Sequence, residues 1–311
     1  MAGRYRLRWQ TSVVTSKTIT ASAAGTWRLG DLTVNRMGFG AMRLTANADG
    51  TPSDRDRAIA VLRRAVEFGV NHIDTAAFYF SPLRSANELI NRALAPYPDG
   101  LVIATKVWPG RDPSGEWVWA TPAQLRGQVE ENLRQLGRDH LDVVNLRLPR
   151  SQASTSIAAH FAVLASLREA GLIRHLGISN ARPEHLAEAR AIAPVVCVQN
   201  SFGIGASAEK RDLLRACGEQ GVAFVPFFAI AGQGREAGAG AAGESEEVLA
   251  VAGAHGVTAA QVRLAWTLHQ GSHVLAIPGT GDPGHLTANV AAAALRLSTE
   301  EMTVLDAVAA T

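Results

Sequence analysis

The chain has 311 residues, 47% of them hydrophobic, enough for one large core or two modest domains. Its 30 Lys and Arg against 28 Asp and Glu leave a formal charge of +2, which excludes the strongly basic surface that nucleic acid or another extended polyanion demands. Only 2 cysteines, Cys197 and Cys217, exclude a disulfide framework, fit a reducing compartment and read as packing residues.

The chain opens with Arg4, Arg6 and Arg8 and reaches Ala-Ser-Ala-Ala at residues 21–24, a superficial likeness to an export signal. Its middle is rich in Thr and Ser and is cut by Lys17, so it lacks the apolar stretch such a signal needs. Residues 1–26 are therefore expected to be a disordered leader or the result of an upstream start, and the protein to be cytoplasmic. No apolar run approaches the ~20 residues of a membrane span.

From Trp27 on, short strand-like runs alternate with helical patterns. Trp27 to Met37 predicts a hairpin, two apolar stretches meeting at Gly30-Asp31. Met37–Met42 predicts the first strand, and Arg55–Phe68 an amphipathic helix stopped by Gly69. Strands follow at Val70–Asp74, Leu101–Thr105, Leu141–Leu146, Ile173–Ile178, Val195–Gln199, Val222–Phe227 and Val274–Ile277. Between them lie helices at Ser85–Leu94, Pro122–Leu136 (with Thr121 as its cap), Ile157–Glu169, Pro183–Ala191 and Lys210–Gln220. A Gly- and Ala-rich loop, Ala231–Gly243, precedes helices at Glu246–Ala254 and Ala259–Gln270, and two more run from Gly284 to Ala294 and after Ser298.

Strands apolar throughout and separated by helices imply a parallel sheet covered by helices. Eight such units over residues 27–311 predict an α/β fold, a single (β/α)8 TIM barrel with an N-terminal β-hairpin. The rival, an open doubly wound sheet, would carry a Gly-rich fingerprint after its first strand, and Gly38-Phe-Gly-Ala-Met lacks the third glycine.

In such a barrel, chemistry sits at the C-terminal ends of the strands. Those ends carry Asp74 with Tyr79 five residues on, Lys106, Arg147, Ser179-Asn180, Gln199-Asn200, Phe227-Phe228 and Pro278-Gly-Thr-Gly281. A phenol titrates near ~10, too weak an acid to protonate a forming alkoxide well at neutral pH. A nearby ammonium stabilises the phenolate, and a buried carboxylate holds that ammonium. Tyr79 is the candidate proton donor, Lys106 its tuner, Asp74 the orienter and Arg147 a donor aimed at the substrate oxygen. The alternative of a metal-dependent hydrolase built on His72, Asp74, His140 and His160 lacks further His or Asp at later strand ends, so no metal is expected.

These residues resemble the aldo-keto reductases, over Gly30 to Thr311. The likeness rests on Asp74-Thr-Ala-Ala-Phe-Tyr79, Thr105-Lys106, Gly177-Ile-Ser-Asn180, Val198-Gln-Asn200 and Ile277-Pro-Gly-Thr280. It implies a (β/α)8 barrel whose floor a hairpin closes, and hydride transfer between a nicotinamide dinucleotide and a carbonyl with an Asp/Tyr/Lys/His tetrad and no metal. Asp74, Tyr79 and Lys106 match three of the tetrad, and Arg147 stands where the family has histidine. By the same resemblance Ser179, Asn180 and Gln199 hold the nicotinamide carboxamide, and Phe227 stacks on the nicotinamide face. Met42, Ile230, Gly279, Thr280, Gly281, His285 and Asn289 complete the cofactor set, the segment Ile277–Asn289 holding adenosine phosphates on backbone N–H groups.

Val143-Val-Asn-Leu-Arg147, Phe224-Val-Pro-Phe-Phe228 and Leu32 to Met42 look most like the bacterial pyridoxal reductase (pyridoxine 4-dehydrogenase) branch, which implies reduction of pyridoxal to pyridoxine with NADPH. Phe80 in place of a common glycine, and Ser201-Phe-Gly203 in place of a Glu/Tyr/Asn-type run, depart from it near the expected substrate mouth. Gly279 and His285 stand where many members grip the 2′-phosphate of NADPH with Lys and Arg; Arg235 and Lys210 are further candidates, and NADH is the alternative cofactor. The alternative functions are reduction of a secondary-metabolite or sugar ketone, and a cofactor-binding module with little turnover. A small-molecule carbonyl is the expected partner.

Overall fold

In the computed structural model, residues 19–47, 50–112, 114–149, 155–230 and 244–308 are described. The loop Ala231–Gly243, Arg235 within it, and Arg4, Arg6, Arg8 and Lys17 of the leader lie outside the described residues.

The expected hairpin is present as β1 (Thr26–Leu29) and β2 (Leu32–Asn35), paired antiparallel. Gly30 at its turn has φ +63°, a left-handed conformation that favours glycine, and a Cβ there would displace the His175 ring. The inner end of residues 1–26, expected as disordered, is structured. Ala21–Ala24 form a 3-10 helix with Ala21 fully buried, and Arg36 donates to the Ala24 carbonyl at 3.0 Å.

The chain then winds a parallel sheet with helices outside it. Its strands and helices in order are β3 (Phe39–Gly40), α1 (Arg55–Glu67), β4 (His72–Asp74), α2 (Ala86–Leu94), β7 (Val102–Val107), α3 (Leu125–Leu136) and β10 (Leu141–Arg147). They continue with α4 (Ala158–Glu169), β11 (Ile173–Ser179), α5 (Pro183–Ile192), β12 (Val195–Gln199), α6 (Ala208–Glu219) and β13 (Ala223–Phe224). Helices α7 (Glu246–His255), α8 (Ala259–His269), α9 (Pro283–Ala291) and α10 (Thr299–Asp306) finish the chain. Neighbours in the sheet run β13-β12-β11-β10-β7-β4-β3.

The expected eighth strand closes this sheet through single bridges. Val274 bridges Phe224 on one side and Ala276 bridges Met37 on the other, both parallel. Backbone bonds from Leu275 to Phe224 (2.9 Å), from Ala276 to Arg36 (2.9 Å) and from Gly38 to Ala276 (2.8 Å) carry the seam. A closed (β/α)8 barrel results. The seam explains why the first strand is shorter than Met37–Met42: at Ala41 the chain turns into a 3-10 helix, Ala41–Leu44. Gly40 and Gly279 touch there, and a Cβ on Gly279 would lie 2.5 Å from the Gly40 carbonyl. The seventh strand likewise covers Ala223–Phe224 rather than Val222–Phe227.

Side chains alternate between the two faces of each strand. In β7, Val102 and Ala104 join the barrel interior with Leu29 and Val34 of the hairpin, while Ile103 and Val107 pack under the helices. Burying Leu29 and Val34 stabilises the floor by about 1.5–3 kcal/mol each. The same alternation sends Asp74, Lys106, Arg147, Ser179 and Gln199 inward at the opposite end. It sends Thr105 outward, toward α3.

Two hairpins absent from the sequence reading stand at the mouth: β5 (Phe80–Ser81) with β6 (Arg84–Ser85), and β8 (Pro109–Arg111) with β9 (Trp117–Trp119). Among the described residues no single helix is long and apolar enough to cross a membrane; α7 and α8 reach that length only jointly, across a 96° bend.

Candidate active site

Asp74 and Lys106 end adjacent strands, since β4 and β7 pair with Asp74 opposite Ala104. Lys106 Nζ donates to both Asp74 carboxylate oxygens at 2.8 and 2.7 Å and to the Thr75 carbonyl at 2.9 Å. Side-chain exposures of 1% and 5% make this a buried ion pair. Desolvating two such charges costs several kcal/mol each, so the pair is poor stabilisation and points to chemistry. Gln199 adds to it, its Nε2 donating to Asp74 Oδ1 at 2.6 Å. That second task for Gln199 was not legible in sequence.

Tyr79 lies beside the pair, with Lys106 Nζ 4.8 Å from the centre of its ring. The three ammonium donors go to Asp74 and Thr75, so Lys106 addresses Tyr79 by charge across the ring and not by a hydrogen bond. Arg147 ends β10, its guanidinium carbon 5.2 Å from the centre of the Phe227 ring, within cation–π range.

A cavity of about 140 Å³ gathers eight of the expected residues: Met42, Asp74, Tyr79, Arg147, Gln199, Phe227, Ile230 and Gly279. Lys106 bounds a larger space of about 720 Å³ between the two mouth hairpins, where Phe78, Phe80 and Trp119 also stand. The larger space is also lined by Gln128, Asn132 and Gln135 of α3; the smaller one holds Asp74, Tyr79 and Arg147. Aromatic rings connect them. Phe78 meets Tyr79 edge-on at 5.1 Å and Trp117 at 5.5 Å, and Trp117 and Trp119 remain half exposed. The period-two spacing Trp117-Val-Trp119 beside Pro109-Gly110 was the available signal for that hairpin.

Ser179 pairs with Arg147 on one side and Gln199 on the other in the sheet register. Its Oγ and Gln199 Oε1 are buried polar atoms without a protein partner. Unpaired buried polar atoms are costly. A primary carboxamide, which carries both a donor and an acceptor, fits them, as the nicotinamide end of a dinucleotide would. Asn180 is used differently from Ser179. With φ +57°, it donates its side-chain amide to the Leu148 carbonyl at 3.1 Å and so ties two strand ends together.

The expected phosphate segment is only partly open. Thr280 Oγ1 accepts from Asp282 N at 2.9 Å, and Asp282 caps α9 by accepting from Gly284 N at 2.8 Å and His285 N at 3.0 Å. Those two N–H groups therefore serve a carboxylate, which the Arg57 guanidinium pairs from α1. Gly281 lies between these groups, and Asn289 is buried on α9. None of Thr280, Gly281, His285 and Asn289 lines the 140 Å³ cavity. Lys210 lies on α6 and does not line that cavity.

His72 sits one inward position below Asp74, and burial pushes its imidazole down to about 4, with the Asp74 charge opposing the shift and the Lys106 charge adding to it. His160 stacks on Trp108 at 4.0 Å, and His140 pairs with Asp139 at 2.8 Å. Among the described residues no three His, Cys, Asp or Glu side chains are grouped to hold a metal ion. Both cysteines are buried, and burial pushes their thiols up to about 12.

The aldo/keto reductase family pattern matches residues 36–310. Pyridoxine 4-dehydrogenase of Escherichia coli is 42% identical over 292 residues, 92% of this chain and 99% of that protein. A thermostable aldo-keto reductase solved with the inhibitor epalrestat superposes with a TM-score of 0.73 at 29% identity, covering 90% of this chain and 98% of that one. An aldo-keto reductase from Klebsiella pneumoniae in complex with NADPH gives 0.72 at 26% identity, covering 88% and 90%. A closed barrel with Asp74, Lys106 and Tyr79 at its mouth, matched over nearly its whole length, places this chain in the aldo/keto reductase family, as an oxidoreductase of small-molecule carbonyls.

Proposed function

We propose that this protein reduces the aldehyde of pyridoxal to the alcohol of pyridoxine, with NADPH as the reductant. The observation that carries the reaction is the buried Lys106–Asp74 pair beside Tyr79, at the rim of a cavity shared with Gln199, Arg147 and Phe227. The substrate follows the 42% identity to a pyridoxine 4-dehydrogenase over almost the full length of both chains. Phe78, edge-on to the Tyr79 ring at 5.1 Å, suits a flat heteroaromatic ring beside it.

Ser179 Oγ and Gln199 Oε1 would hold the carboxamide of a bound dinucleotide and Phe227 would pack on its ring, and the dinucleotide would supply a hydride to the carbonyl carbon. Tyr79 delivers the proton to the carbonyl oxygen. Lys106 stabilises the negative charge left on the phenol oxygen, and Asp74 keeps the ammonium in place. Arg147, held against Phe227, is the cation placed to polarise the carbonyl.

The test is NADPH oxidation by purified protein with pyridoxal, beside keto-sugars and quinones, and again with NADH. Pyridoxal with NADPH is expected to give the fastest turnover. Tyr79→Phe, which keeps the ring and removes the proton, is expected to lose about 10²–10⁴-fold in kcat while still binding NADPH. A Tyr79→Phe variant with wild-type rates would sink the mechanism, and a protein inert toward pyridoxal would sink the substrate.

A further inference from the structure

Thr75 follows Asp74 and Thr105 precedes Lys106, so each threonine flanks one member of the buried ion pair. Both turn their hydroxyls away from the 140 Å³ cavity, toward α2 and α3. Thr75 Oγ1 donates to Asn87 Oδ1 at 2.8 Å, and Thr105 Oγ1 donates to Asn132 Oδ1 at 2.6 Å. Asn87 Nδ2 joins the two halves, donating to Asn132 Oδ1 at 3.0 Å and to Gln135 Oε1 at 3.0 Å. Asn132 Nδ2 donates to the Gln128 carbonyl at 2.9 Å. Thr75, Asn87, Thr105 and Asn132 are all 0% exposed.

Gln128, Asn132 and Gln135 are spaced four and three residues apart, which places them on one face of α3. The Gln128 side chain grips both the N–H and the carbonyl of Trp108, at 2.8 and 3.3 Å. Trp108 has φ +93°, an uncommon conformation for a bulky residue that needs such a hold. One helix face thus clamps β7 on both sides of Lys106 and, through Asn87, the end of β4. The clamp reaches the reacting groups through the Thr75 peptide. Its N–H donates to the Ala104 carbonyl at 2.8 Å, and its carbonyl takes the third Lys106 donor.

Apolar side chains would pack these positions with less desolvation. A satisfied polar circuit instead specifies one geometry. It is also neutral, so it orients the ion pair without competing for its charges. We propose that Thr105, acting through Asn132, Asn87 and Thr75, is a positioning residue for carbonyl reduction, holding Lys106 against Asp74 and over the Tyr79 ring. The proposal rests on the reading of Asp74, Lys106 and Tyr79 as the reacting set.

Thr105→Val keeps the shape and removes the hydroxyl, and Thr105→Ser keeps the hydroxyl. With pyridoxal and NADPH, Thr105→Val is expected to lose about tenfold in kcat, as small misplacements of reacting groups do, with KM and the NADPH Kd within about twofold of wild type. Thr105→Ser is expected to restore kcat to within about twofold of wild type. A Thr105→Val enzyme with wild-type kcat overturns the proposal, and so does a serine variant that fails to rescue. Gln135→Met, at the half-buried edge of the circuit, covers the case in which the valine variant does not fold. It should lose about threefold in kcat at unchanged KM, and an unchanged kcat would count against the circuit. Tyr79→Phe run alongside separates the two failures. An active Tyr79→Phe removes the reacting set itself, whereas an inactive one beside a wild-type Thr105→Val removes only the positioning role.

Discussion

The two halves of the barrel mouth are built on opposite terms. At the ends of β4 and β7 the polar groups are paired within the protein: Asp74 with Lys106 and Gln199, and both threonines with the amides of α2 and α3. At the ends of β11 and β12 the strands carry Ser179 Oγ and Gln199 Oε1 buried and unpartnered. The first half is complete before any ligand arrives, so its groups need no reorganisation during reaction. The second half holds a standing cost that a bound carboxamide would relieve. Gln199 belongs to both, one amide atom on the ion pair and the other left for the ligand.

That contrast can be broken from either side. Lys106→Met should act most, because it leaves the Asp74 carboxylate buried with no counter-charge, only the neutral Gln199 amide. Urea unfolding near neutral pH should show a loss of about 3–5 kcal/mol, together with lost turnover. A variant as stable as wild type would show that the pair is not the closed unit described.

His72 probes the layer beneath. Its imidazole titrates near 4 in the fold against 6.5 when exposed, so between those values the unfolded chain binds more protons. Stability is therefore undiminished above about pH 6.5 and falls as the pH drops toward 4, by about 3 kcal/mol from this group. Replacing His72 with Leu should flatten the stability–pH profile over that window, and an unchanged slope would assign the acid sensitivity elsewhere.

Ser179→Ala should act least on the fold and in the opposite direction. It removes an unpartnered buried hydroxyl, so the thermal midpoint should hold or rise, while the NADPH Kd weakens by about five- to tenfold, the worth of one hydrogen bond. A lower midpoint with unchanged Kd would mean that the hydroxyl is satisfied within the protein.

Much of this was legible in the chain itself, for a definite reason. Strand periodicity is two residues, so an inward Val102 and Ala104 require an inward Lys106, and burial of the strand places that lysine at the barrel mouth. Reading the last inward position of each strand thus found Asp74, Lys106, Arg147, Ser179 and Gln199 together. What escaped was set by contacts distant in sequence. Asn132 looked like any polar helix residue until α3 packed on Thr105. Asp282 looked like a loop residue until it took the α9 N–H groups expected to hold a phosphate. The eighth strand has a clear apolar run, yet only its bridges to Met37 and Phe224 show that it closes the barrel.

By itself, then, the sequence determined the order of the elements, the inward register of each strand and the chemical types at the strand ends. All three follow from local periodicity and side-chain polarity. The tertiary structure decided which partner each of those groups keeps: Lys106 for Asp74 and Thr75, Gln199 for Asp74, Thr105 for Asn132. A hydrogen bond depends on ångström-scale approach between segments tens of residues apart, and only the closed barrel sets those distances.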